Sequence, residues 1–135
     1  MLFEWSPKFI LGVKAIDDQH RKLVVILNQL DDLIKNGAPQ SDSWVSIFNE
    51  LLEYAQYHFK TEEELMFDHS FGGLQDHIKE HAFFRSKITS LKKGLDANDL
   101  HAIDELLYFL MVWLQNHILV VDRRCCVFLN QEGVV

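Results

Sequence analysis

Cysteine is scarce in this chain: the two present, Cys125 and Cys126, are adjacent. Neighbouring cysteines rarely pair with each other because the bridge would be strained, and they form no CxxC motif. A disulfide framework is therefore not expected. Two reduced thiols near a helix end are, at least one of them packed as a small apolar side chain. Proline is as rare, with only Pro7 and Pro39. No apolar run approaches the ~20 residues that span a bilayer, so no membrane partner is expected. The N-terminal stretch carries Glu4 and Pro7 within its apolar residues and lacks a basic start. It does not read as a signal peptide, and a cytoplasmic chain is expected. Positive charge is also thin, with 13 Lys and Arg against 20 Asp and Glu for a formal net charge of -7. Lys92-Lys93 and Arg123-Arg124 are isolated pairs, so nucleic acid is not an expected partner. No internal repeat, low-complexity tract or strand alternation is visible.

What remains is helical periodicity. The 135 residues suggest one domain with a core large enough to fold alone. Residues 1–16 show no helical period and read as an extended arm, in which Trp5, Phe9, Ile10, Val13 and Ile16 are too apolar to be left in water. A first helix is expected over residues 18–35, with the stripe His20, Leu23, Leu27, Leu30, Ile34. Asn36-Gly37 and Pro39 stop it. The second, over 42–67, carries Trp44, Phe48, Leu51, Ala55, His58, Glu62 and Leu65, with Ser41 or Asp42 as N-cap. Ser70-Phe71-Gly72-Gly73 is a turn. The third, over 74–93, carries Leu74, His77, His81, Phe84, Ile88 and Leu91, and Gly94 ends it. Asn98 or Asp99 caps the fourth, over 100–118, with Ile103, Leu106, Leu110, Trp113 or Leu114, and His117. Residues 120–129 either extend it or form a short separate helix. Short turns between amphipathic helices imply an all-α, antiparallel up-down-up-down four-helix bundle.

The core stripes contain seven potential metal ligands: His20, His58, Glu62, His77, His81, His117 and Asp122. His58 with Glu62, and His77 with His81, are four apart and share a helix face. Burying these groups without partners would cost several kcal/mol each, a cost that ligation removes. In alternating directions all four helices bring them to one end of the bundle. Five imidazoles and two carboxylates suit iron, zinc, copper or nickel rather than magnesium or calcium. Seven ligands exceed one tetrahedral zinc and suit two octahedral ions sharing the carboxylates. His69, at a helix end, and His101, at the opposite end of the bundle, are excluded.

The pattern H…HxxxE…HxxxH…HxxxxD resembles the hemerythrin family, most closely its single-domain bacterial members. It is met by His20, His58 to Glu62, His77 to His81 and His117 to Asp122. Trp5, the run Ile16-Asp17-Asp18-Gln19, Glu63 through Met66 and Trp113 through Ile118 match as well. The resemblance implies a non-heme di-iron centre. One iron would take His77, His81 and His117; the other would take His20 and His58 and keep an open position for dioxygen. Glu62, Asp122 and an oxo or hydroxo group would bridge them. Leu23, Phe59 and Leu114 would line the ligand pocket. Val121, the Cys125-Cys126 pair and Phe71-Gly72 depart from the family's usual residues, but none is a ligand.

Reversible dioxygen binding, for storage, delivery or scavenging, is thus the expected function. A sensor of oxygen, nitric oxide or redox state acting on a partner is the alternative, and the adjacent cysteines would serve it if they oxidised reversibly. A peroxidase-type enzyme ranks below both, because no acid or base beyond the ligands is evident.

Overall fold

Asp17 sets the start of the bundle in the computed structural model, which describes residues 2–36, 43–97 and 99–135, with residues 43 and 44 described by backbone alone. The Asp17 carboxylate accepts the backbone N–H of Leu11 at 2.8 Å and of Gly12 at 3.0 Å. The chain turns there into α1 (Lys14–Lys35). Gly12 has φ +86°, a conformation that favours glycine, and a Cβ on it would also lie 2.8 Å from Asn130 Oδ1, whose side chain would have to move. The helix therefore begins four residues before the expected start, and Ile16 belongs to it rather than to the arm. The reason is that the cap reaches back from within the first turn; Val13, at the N-cap position, has no polar group to offer.

The arm holds a short 3-10 turn, Pro7–Phe9, rather than being extended throughout. Phe3, Phe9 and Val13 are buried, whereas Ile10 is exposed, against expectation. Asn28 on α1 fixes the arm by a reciprocal pair, accepting the N–H of Phe3 at 2.9 Å and donating to its carbonyl at 2.8 Å.

Helix α2 (Ser43–Asp68) is followed by α3 (Leu74–Asp96) and α4 (Leu100–Asn116). The end of α2 is a left-handed cap at Ser70, φ 57°. Ser70 N–H bonds the Phe67 carbonyl, and Phe71 N–H bonds that of Met66, the pairing that closes many helices. Gly94 does not end α3, which runs on to Asp96. Glycine serves helix contact here, since a Cβ at position 94 would sit 2.5 Å from Ala102 Cβ on α4. Asp99 caps α4, accepting the His101 N–H at 3.0 Å. The expected roles of Gly37, Pro39, Ser41, Asp42 and Asn98, and of the Trp44 side chain, lie outside the described residues.

Beyond Asn116 the helix continues as a π turn, His117–Asp122, and then as α5 (Arg123–Gln131). Residues 120–129 thus extend the fourth helix. By length and composition the continuous Leu100–Gln131 rod could cross a membrane. In the bundle, its Ile103, Leu106, Leu110, Leu114 and Ile118 are buried against the other helices. Neighbours in sequence pack in space, α1 on α2, α2 on α3 and α3 on α4, and α5 returns to α2. The result is an all-α bundle, with no strand among the described residues.

The apolar interior is divided. A large cluster includes Leu23, Leu27, Leu51, Phe59, Leu110 and Ile118; a smaller one, Val13, Ile16, Met66, Cys125, Cys126 and Leu129, closes one end. Between them lies a buried polar layer.

Candidate metal centre

Each helix delivers its polar side chains to that layer by a simple spacing. On α2 and α3 the residues four apart stand one above the other. His117 and Asp122 are five apart, and five ~100° steps of an α-helix would leave them ~140° out of line. The π turn spanning the two corrects this, because its repeat brings residues five apart onto one side.

All seven expected ligands converge, each no more than 3% exposed. They fall into two groups, Glu62 with His77, His81 and His117, and His20 and His58 with Glu62 and Asp122, whose donor atoms lie within 4.8 Å of one another. Asp122 faces both sides. Its Oδ1 is 2.9 Å from His77 Nε2 and 3.0 Å from His117 Nε2, and its Oδ2 is 2.8 Å from His20 Nε2. Glu62 Oε1 sits 3.2 Å from both His58 and His81 Nε2 and 3.3 Å from His117 Nε2. Despite this crowding, Glu62 Oε2, Asp122 Oδ1 and His77 Nε2 are buried without a hydrogen bond. Close approach without hydrogen-bond alignment fits lone pairs aimed at shared ions, and the nitrogen and oxygen donor set suits first-row transition metals.

The electrostatics agree. Burial opposes ionisation of Glu62, yet His58, His117 and His77 hold its carboxyl well below the usual range. Burial and Glu62 push Asp122 up, but His117 and His20 bring it down further. Burial pulls His58 and His77 down, and the two carboxylates push them up to about 9 and about 10. His117 is also raised by Asp122 and Glu62 against burial, whereas at His20 burial wins and the value falls. The layer is built to hold positive charge, as protons or as the metal ions that displace them.

Sequence reasoning did not assign the side chains that orient the imidazoles. Thr61 Oγ1 donates to the Tyr57 carbonyl at 3.1 Å and accepts from Gln19 Nε2 at 3.0 Å. Gln19 Oε1 is thereby turned to His58 Nδ1 at 2.8 Å, so that Nδ1 carries the proton and Nε2 faces the centre. Glu63 Oε2 does the same for His81 Nδ1 at 2.9 Å. The signal was adjacency, each holder being next to a ligand in sequence. Two rings are also clamped by stacking, His81 on Phe59 at 4.0 Å and His117 on Trp113 at 4.4 Å.

Leu23, Phe59 and Leu114 line a cavity of about 20 Å³, together with Ala55, Leu110 and Trp113 among others. That volume holds about one water-sized molecule. Its lining is aliphatic and aromatic, and two of its walls, Phe59 and Trp113, are the rings that stack on His81 and His117. His69 is half-buried and His101 exposed, and neither joins a ligand group among the described residues. Cys125 and Cys126 are both buried. Their mutual hydrogen bond and burial push the Cys126 thiol up, which keeps it protonated and unreactive. The packing role fits them better than the redox one.

Comparison with known proteins agrees with the geometry. A family model described as Hemerythrin HHE cation binding domain matches residues 11–124. The chain is 37% identical to a bacteriohemerythrin of Clostridium acetobutylicum over 126 residues, which cover 91% of this chain and 98% of the relative. It is 31% identical to a hemerythrin-like protein of Naegleria gruberi over 122 residues, 90% of this chain and 89% of the relative. A bacteriohemerythrin of Stenotrophomonas maltophilia is 29% identical over 117 residues, 87% and 74% of the two chains.

Proposed function

This chain belongs to the hemerythrin family, and from that premise we propose that it binds dioxygen reversibly at a non-heme di-iron centre, for storage, delivery or scavenging. His77, His81 and His117 hold one iron; His20 and His58 hold the other, which keeps a position free for dioxygen. Glu62 and Asp122 bridge the pair beside an oxo or hydroxo group. Two ferrous ions supply the electrons that holding dioxygen requires.

The observation that carries this reading is the small apolar cavity whose walls Phe59 and Trp113 stack on His81 and His117. Leu23, Phe59 and Leu114 shape it, and no acid or base lines it. Such walls exclude water and offer no group to protonate a bound molecule. That favours holding over turnover, and supports a non-enzymatic role. The histidine-rich ligand set brings fewer anions than the carboxylate-rich sets of other di-iron bundles. It stabilises the ferrous state and disfavours the higher oxidation states that oxidation chemistry needs.

The test is metal content and the visible spectrum of protein reduced without air and then exposed to dioxygen. Two irons per chain, and a charge-transfer band that comes with dioxygen and goes when it is removed, are expected. Immediate conversion to a stable ferric form would overturn reversible binding, and fewer than two irons would overturn the di-iron assignment.

A further inference from the structure

On each side of the centre one histidine is held from behind, and the two holders differ in charge. His58, of the two-histidine group, gives its Nδ1–H to the Gln19 carboxamide at 2.8 Å. His81, of the three-histidine group, gives its Nδ1–H to the Glu63 carboxylate at 2.9 Å. The amide is neutral and tied to Thr61. The carboxylate is anionic, with a side chain 27% exposed and Arg85 Nη2 4.0 Å away. Arg85 is itself anchored, donating to Gln56 at 2.8 Å and lying over the Phe59 ring at 5.4 Å. It tempers the Glu63 charge and keeps it in place.

An anionic acceptor behind a ligating imidazole makes that imidazole a stronger donor, and the effect on metal affinity is typically 10- to 100-fold. A stronger donor favours the ferric over the ferrous ion. We propose that Glu63 is a positioning residue that, through His81, biases the two irons of the proposed centre, so that the iron on the His77, His81 and His117 side is the first to become ferric. The inference rests on the di-iron reading above. Phe59 stacks on the His81 ring and holds its plane independently of Glu63. A glutamine at position 63 can accept the same hydrogen bond through its amide oxygen. Charge can therefore be removed while orientation stays.

The experiment is a potentiometric titration of the two one-electron steps, with a one-electron mediator carrying each electron to the electrode. Mössbauer spectra of the half-oxidised protein locate the ferric ion. In Glu63→Gln the ferric-to-ferrous affinity ratio of the three-histidine site is expected to fall about tenfold, raising its potential by about 59 mV for one electron. Gln19→Glu places an anion behind His58, and the other potential is expected to fall, narrowing or inverting the split. Should Glu63→Gln shed iron, the shift in Gln19→Glu decides alone. Wild-type protein with two irons, and variants whose potentials do not move, would overturn this inference and leave dioxygen binding standing. Wild-type protein with fewer than two irons would overturn both.

Discussion

Leu114→Ala tests whether the cavity wall governs the life of the oxygenated protein. Leu114 is 7% exposed, against 3% for Leu23 and 1% for Phe59, so of the three it is the thinnest part of the wall. Truncation removes three buried carbons, about 2.4 kcal/mol at ~0.8 kcal/mol each. The space left adds to this, because Phe59 and Trp113 are pinned by stacking on His81 and His117 and cannot collapse into it. A total near 4 kcal/mol follows, within the roughly 2.7–5 kcal/mol found for buried leucines. The cavity, about 20 Å³ in the native protein, then opens towards solvent. Autoxidation in air, followed by the visible band, is expected to speed up about tenfold, equivalent to about 1.4 kcal/mol of barrier, with iron retained. Leu110→Ala is the control. Leu110 lines the same cavity but is 3% exposed, so it should lose similar stability in a denaturant titration with little change in rate. Equal acceleration in the two variants, or none in Leu114→Ala, would refute the wall argument.

Replacing His58 or Glu62 by Ala should cost iron and bundle stability; metal analysis still giving two irons per chain would remove that residue from the ligand set, while His101→Ala should alter neither iron content nor spectrum. In metal-stripped protein, His58 and His77, raised to about 9 and about 10, contribute stability that is fully present below the unfolded value near 6.5 and lost as pH rises through 9 to 10. Glu62 and Asp122, held low, contribute stability that is present above about 4.5 and lost on acidification, with lowered His20 acting in the same direction. The urea midpoint should therefore be higher near pH 6 than near pH 10, and a flat profile between them would contradict the pairing. Gly94→Ala should lower the melting temperature: relieving a 2.5 Å contact with Ala102 costs about 1–3 kcal/mol, more than the ~1 kcal/mol gained in helix propensity.

The ligand layer was legible in the sequence because its signal is local. A histidine or glutamate inside an apolar stripe is conspicuous, and spacing of four fixes its face. The stripes likewise gave the four helices and their alternation. What escaped was set by contacts distant in sequence or by partners of modest type. Gly94 looked like a stop because glycine often is one, but its role is set by Ala102 on another helix. The early start of α1 depends on Asp17 turning back to Leu11 and Gly12, and an aspartate in a first turn is too common to signal that. Ile10 was expected to be buried from its apolarity alone, whereas Phe3, held to α1 by Asn28, is buried in the arm. Gln19 and Glu63 are ordinary polar residues until the histidines behind which they sit are in place.

The π turn at His117–Asp122 has an effect beyond Asp122 itself. One residue more per turn than an α-helix needs shifts everything downstream by about 100°. Cys125, Cys126 and Leu129, all buried, are in phase with the bundle only because of that shift. The same register change that lines up a ligand also decides which side of α5 is greasy. Winding the same residues as a regular α-helix would therefore do two unrelated injuries at once, pulling a carboxylate from the polar layer and turning the closing cluster of the bundle out towards water. Metal-binding geometry and the sealing of one end of the molecule are written into a single dislocation of the helix, and neither can drift without the other.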